Sequence, residues 1–425
     1  MSNSLLTISK VTNEALMVLE NSLTFTAEVN RDYDDQFAVT GAKIGNTLNV
    51  RRPGRFIGTS GPNLNVEDFN ETYVPVVLGD TTKYGDQFHV DTQFTTQDLA
   101  LSLGDFSDRI VKPAVAAIAN RIDYIGLQMA KNSVANIVGT PGTLPTGLRT
   151  YLDAGAYLDS EGAPRDGRRA VVIEPFTASA IVDSLKGLFV PDSQLSAQYR
   201  TGLMGRDSGG MNWKMDQNVA IQTFGSWATT AGTLTAATNG AFTGSIATGW
   251  ASTSTITLTN SQTLTLQQGD TFTIANVYGV NPQNRKSYGK LRNFVVTQAV
   301  TGAAGTISVT VSPAIITGGQ FQNVFVAATS ATATVTPLSI AGTTATAVAS
   351  PQNILFHKNA FTLATADLEV PQGVHFAGRA SSKAAGLSIR IVRQYTINND
   401  AIPARFDVLF GFAPLYAELA CRIAG

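Results

Sequence analysis

The chain has 425 residues with a net charge of −1, and at 44% hydrophobic it excludes a disordered chain, while its length exceeds one compact core and predicts two or more domains. The charged fraction is only 14%, and its near balance excludes the global basic field that draws a protein onto nucleic acid or anionic lipid. The 38 glycines suit β-structure and extensive contact surfaces.

MSNSLLTISKVTNEAL lacks the basic and continuously apolar regions of a signal peptide, and no window is apolar enough to span a bilayer, so a soluble cytoplasmic product is expected. Ala15, Leu16, Leu19 and Leu23 suggest a short amphipathic helix, after which TFTAEVNRDYDDQF shows no period. Residues 1–40 read as an arm. Between Asn46 and Thr92 alternating runs flank a turn-rich SGPNLNVEDFN, which predicts a long β-hairpin. Pro53 and Pro75 make its strands edges, and a ribbon of two strands needs outside support.

The stretch from Gly104 to Asn132 keeps a helical period throughout. Val111, Val115, Ile118, Ile122, Ile125 and Met129 fall on one face, which predicts a long buried helix. Asp105 suits its N-cap, Asp108 its positive end, and Lys131 its negative end. Pro113 either kinks this helix or opens it as its first residue. LRTYLDAGAYLDSEG, RRAVVIEP and PFTASAIVDSLKGLF then read as helix, buried strand and helix.

A composition break follows. Between Asp216 and Asp270, and again between Arg292 and Lys358, there is no Asp, Glu, Lys or Arg. Alternating runs such as STITLTN and TISVTVSPA predict an all-β module inserted into the α/β unit. Its ends are expected to lie close together, and the excised module, about Ser226 to Thr346, is expected to fold alone. Charges return from about Gln352 in strands that complete the earlier sheets. Cys421 is the single cysteine, which excludes an intramolecular disulfide or a multi-cysteine metal site and fits a reducing compartment.

Catalytic signals are weak. Asp207-Ser208-Gly209-Gly210 has the look of a serine-protease nucleophile turn, with His89 and Asp183 upstream, yet Arg206 stands where a glycine is needed. NPQNRKS has Arg285 where a phosphate loop requires glycine, and His89, His357 and His375 are too dispersed for a metal cluster. No cofactor is implied, and an enzyme is disfavoured.

An arm, an unsupported hairpin, a spine helix, a small α/β unit and returning strands together suit a subunit that assembles. GDTFTIANVYGVNP, GKLRNFVVT, SPAI and NILFHKNAFTLA resemble the inserted domain, and the strand leaving it, of P22-like coat proteins, which are tailed-phage capsid proteins. TGLMGRDSGGMNWKMDQNVA is similar to the turn and strand that lead toward the inner tip of such shells. The resemblance implies an α+β HK97-like fold with an inserted small β-barrel. Its parts would be an N-terminal arm (1–40), an E-loop hairpin (41–92), a P-domain with the spine helix (93–140), the first part of an A-domain (141–225), the insertion (226–346) and the remainder of the A- and P-domains (347–425).

By the same resemblance the chain is a major capsid protein of the virion, assembled in the host cytoplasm as pentamers and hexamers of an icosahedral head. Implied partners are other copies of the chain, a scaffolding protein, a portal at one vertex, DNA packaged without sequence-specific contact and a possible decoration protein, with no membrane. Glu14, Glu20 and Glu28 are candidate scaffold contacts. No lysine lies between Lys43 and Lys83, so the hairpin tip lacks the nucleophile for the Lys–Asn cross-link of some related capsids. Arg51, Arg52 and Arg55 are instead candidate intersubunit contacts, as planar donors to carboxylates. The competing reading, a β-rich surface or fibre protein, predicts a signal peptide or stacked repeats, and neither is seen.

Overall fold

The computed structural model describes residues 12–13, 15–19, 23–31, 45–67, 71–95, 111–185, 209–225, 234–237, 249–260, 264–303, 305–327, 332–338, 349–382, 387–398 and 400–425. The chain divides into two compact units: Met1–Val50, Val74–Met129 and Phe361–Leu415 form the first, and Arg51–Tyr73, Ala130–Ala360 and Tyr416–Gly425 the second.

The first unit is organised by helix α1 (Lys112–Ser133), whose last turn passes into the second. All six residues of its predicted stripe are buried. From Ile122 onward Asp123, Gly126 and Leu127 are buried as well, so the face widens beyond a simple stripe. Pro113 stands in the first turn, where its missing N–H costs nothing, and the predicted start at Gly104–Ile110 lies outside the described residues. In the arm, Ala15, Leu16, Leu19 and Leu23 are buried as their spacing predicts, and Phe25 sits 5.8 Å from the Phe361 ring and 6.3 Å from that of Phe412. Gly126 permits this approach, since a Cβ there would stand 2.7 Å from the Phe25 ring.

The sheet of this unit is centred on the strand Ala401–Pro414, which pairs with Phe361–Ala366, Leu387–Arg393 and Gly85–Thr95. Here the predicted hairpin needs correcting. Only Thr47–Arg52 and Thr72–Val77 form a two-stranded ribbon, and the run predicted as one return strand breaks between them and the sheet. Gly79 and Tyr84 adopt positive φ around a short 3-10 turn, Thr81–Lys83, and the next eleven residues pair with Ala401–Pro414 instead. Alternation registers a half-buried strand and carries no information about its partner.

In the second unit a six-stranded sheet runs Ile137–Gly139, Ala420–Ala424, Ala349–His357, Arg169–Ile173 and Asn212–Met215, with Ile221–Thr223 also on Ala349–His357. RRAVVIEP is its buried strand, with all five residues Arg169–Ile173 enclosed. Helices α2 (Leu148–Ser160) and α3 (Pro175–Leu185) follow the predicted pattern. Tyr151, Ala154 and Leu158 of α2 pack with Val171, Trp213, Leu355 and Ile423, and the Tyr151 and Trp213 rings lie 4.8 Å apart. Cys421 belongs to the same core, where burial pushes its thiol pKa up and leaves it a small apolar residue.

The inserted strands close on themselves. Ser287–Val296, Gly305–Ser312, Ser254–Asn260, Leu234–Ala237, Thr332–Pro337 and Thr271–Val280 pair in that order, and the last returns to the first, with Val324–Val326 beside it. The ring encloses Ile256, Leu258, Phe272, Ile274, Phe294, Val309 and Val311, so the alternating pattern gives this barrel its own core. At its neck Ile221–Thr223 pairs with Ala349–Pro351, which holds the chain entering the insertion against the chain leaving it.

Candidate assembly interface

The hairpin tip is shaped by local bonds rather than a core. Pro53 ends the first strand, and the Glu67 carboxylate accepts the backbone N–H groups of Ile57 and Gly58, each at 2.7 Å. With Gly58 and Gly61 at positive φ, this closes a defined loop that turns its apolar side chains outward. Phe56, Ile57, Val66 and Leu64 are exposed, Leu64 by 91%. Four large apolar side chains thus stand exposed on one short loop, where water penalises them.

The three arginines at its base do different things. Arg51 is largely exposed and lies 3.8 Å from Glu71 across the ribbon. Arg52 donates to Glu418 Oε1 at 2.8 Å, with its guanidinium 4.3 Å from the Tyr416 ring centroid and 5.2 Å from that of Trp250. Arg55 reaches the same oxygen at 3.4 Å. Arg52 and Arg55 therefore already hold a carboxylate of their own chain, which their pattern alone does not reveal. An assembly defect in Arg52→Glu would include damage to this internal cluster.

Burial alone would raise the Glu418 pKa, but the charges of Arg52 and Arg55 outweigh it and hold the carboxyl below its ordinary value. A lowered carboxyl pKa gives stability above the unfolded value near 4.5, lost as pH falls through the folded one. Glu418→Gln is expected to cost about 1–2 kcal/mol at pH 7. Chemical denaturation of both proteins across pH 3–7 should show that difference shrinking below about pH 4.5.

Glu28, in the short turn Thr26–Glu28, is half-buried, while Glu14 and Glu20 lie outside the described residues. Of the dismissed catalytic motifs, Gly209 and Gly210 form a turn at positive φ, with Asp207 and Ser208 outside the described residues. His89 lies 3.4 Å from Asp91 near the surface, and buried His357 places Nε2 3.1 Å from Asp166. Among the described residues no group of His, Cys, Asp and Glu could hold a metal, and no helix is long and apolar enough to cross a membrane.

Two buried polar clusters escaped the sequence reading. In one, Arg292 of the barrel pairs with Glu161 at the end of α2, and Tyr288 donates to the same carboxylate at 3.1 Å. In the other, Lys131 donates to Gln222 Oε1 at 2.8 Å. Gln222 Nε2 donates to Asp270 Oδ1 at 2.8 Å, and Arg422 Nη1 to Gly269 O at 2.9 Å. Asp270 also accepts the N–H groups of Gly225 and Gln267, so it pins the insertion's entering strand to its own turn. The available signal was isolation: Asp270 and Arg292 each bound a charge-free stretch, and both are buried.

The profile of the P22 coat protein family, described as P22 coat protein, gene protein 5, matches residues 2–421. No curated protein matches the chain. Among solved structures, one of Mycobacterium phage Che8 is similar with a TM-score of 0.47 at 11% identity, covering 94% of this chain and 90% of that one. The capsid of Ralstonia phage GP4 gives 0.43 at 7% identity over 94% and 87%, and the mature capsid of bacteriophage PhiM1 gives 0.41 at 10% over 90% and 82%.

Proposed function

The chain belongs to the P22 coat protein family and is a major capsid protein of a phage head with the α+β HK97-like fold, and from that premise we propose that it closes an icosahedral shell of pentamers and hexamers around double-stranded DNA. The observation that carries the reading is the family match over nearly the whole chain. The exposed apolar hairpin tip supports it, as a surface for a second copy. Assembly in the host cytoplasm uses a separate scaffolding protein and a portal at one vertex, and the arm carboxylates Glu14, Glu20 and Glu28 are its candidate scaffold contacts.

Negative-stain microscopy tests this directly. Expression of the chain alone should give heterogeneous or misassembled particles, and closed uniform heads should require the scaffolding protein. Fibres or monomers under both conditions would oppose the reading. Leu64→Asp combined with Val66→Asp should lower shell yield by about tenfold or more, since each weakened contact recurs at every subunit. Thermal melting of the unassembled subunit should be unchanged, because both side chains are exposed.

A further inference from the structure

The buried cluster at the neck of the insertion holds the parts of an amide-forming reaction. Lys131, in the last turn of α1, points Nζ at Gln222 Oε1 from 2.8 Å, which places it no more than about 4 Å from Cδ, one carbonyl bond beyond. The Gln222 carboxamide is enclosed and held in one orientation, with Nε2 donating to Asp270 Oδ1 at 2.8 Å and Gln268 O at 3.1 Å. Gly269 makes its seat, since a Cβ there would stand 2.7 Å from Oε1. Arg422 is fully buried beside it, and its Nε and Nη2 have no hydrogen-bond partner among the described residues.

Charge points the same way. Fully buried Arg422 and half-buried Lys131 face the single buried anion Asp270 here, so proton loss from Lys131 relieves the excess of positive charge. Burial, and then the Arg422 charge, bring the Lys131 pKa down to about 8. An amine that loses its proton near pH 8, an immobilised carboxamide, a carboxyl group accepting from the leaving nitrogen and a buried cation with unused donors thus share one cluster.

We propose that Lys131 and Gln222 join through an intrachain isopeptide bond, with Asp270 as the proton carrier. The Nζ lone pair bonds to Cδ while the Arg422 cation offsets the charge growing on Oε1. Asp270 takes a proton from Nζ and returns it to Nε2. The Cδ–Nε2 bond then breaks and ammonia leaves. One ammonia is lost, and neither an oxidant nor a cofactor is required. The product ties the end of α1 to the strand at the insertion's neck, across 91 residues of sequence. Being intrachain, it adds no ladder to a denaturing gel.

Intact-mass measurement of the full chain from shells aged at pH 8 tests it. The expected result is a mass about 17 Da below that of the sequence, with a branched peptide joining Lys131 to Gln222. Lys131→Arg, which keeps the charge and the donor, should retain the full mass, as should Asp270→Asn if it folds. An aged wild-type chain at full mass would overturn the proposal, and so would the same loss in Lys131→Arg. A folded Asp270→Asn chain that still loses ammonia would remove Asp270 from its role.

Discussion

Replacing Arg292 with methionine is expected to destabilise the subunit by about 3–5 kcal/mol, the cost of leaving a buried carboxylate without its cation. Both partners are almost fully enclosed, with side-chain exposures of 2% for Arg292 and 3% for Glu161. Burial pushes the Glu161 pKa up, against the opposing pull of Arg292. With that pull gone, a folded Glu161 binds its proton more tightly than the unfolded chain does, so stability rises as pH falls. Denaturation of Arg292→Met should therefore show its largest deficit at pH 8 and a smaller one near pH 5. The double variant Arg292→Met with Glu161→Leu should recover much of the loss, because two apolar side chains carry no desolvation cost. An additive double variant would mean that the pair is not coupled.

This pair also bears on the insertion as a separate folding body. The barrel has its own apolar interior and paired connecting strands, which favours autonomy. Arg292, however, finds its carboxylate at the end of α2, outside the barrel. An excised barrel would carry that guanidinium without its anion, so Arg292→Met should raise the melting temperature of the fragment while lowering that of the full chain. The opposite signs separate the barrel's intrinsic stability from the stability of its attachment.

What the sequence made legible was periodicity. The α1 stripe, the buried strand Arg169–Ile173, helices α2 and α3 and the barrel strands Ser254–Asn260, Thr271–Val280 and Gly305–Ser312 announce themselves through spacing, because burial on one face is a local pattern, whereas Leu234–Ala237 and Thr332–Pro337 lie in Thr/Ala-rich flanks that show no such signal. Partner choice was not legible. The strand Gly85–Thr95 alternates as a hairpin arm would, yet it pairs with residues more than 300 positions away, and only the turn at Gly79–Tyr84 hinted at the break. The arginines at the base of the hairpin tip were half legible for the same reason. Arg52 and Arg55 were recognisable as carboxylate binders, but Glu418, Tyr416 and Trp250 come from distant segments with no shared spacing. Charges kept where nearly every other charge is excluded, such as Asp270 and Arg292, mark buried pairs more reliably than charges in a mixed surface.

Asp123→Ala is expected to release the arm from the spine helix. Asp123 sits on α1 and is 2% exposed, and its carboxylate accepts three hydrogen bonds from one short segment. Thr24 N donates to Oδ2 at 2.8 Å, Thr26 N to Oδ1 at 2.9 Å, and the Thr26 hydroxyl to Oδ1 as well. Removing the acceptor strands two backbone donors in a water-poor site, and the expected cost is about 3 kcal/mol. Alanine itself suits a helix, so α1 should persist and the loss should fall on the arm. Phe25, held between Phe361 and Phe412, is the apolar half of the same attachment. Hydrogen exchange should accordingly show faster exchange at Thr24, Thr26 and Asn30, with the centre of α1 little changed. Equal acceleration along α1 would instead mean that the arm and helix unfold as one unit, and unchanged exchange at Thr24 and Thr26 would rule out the carboxylate as the anchor.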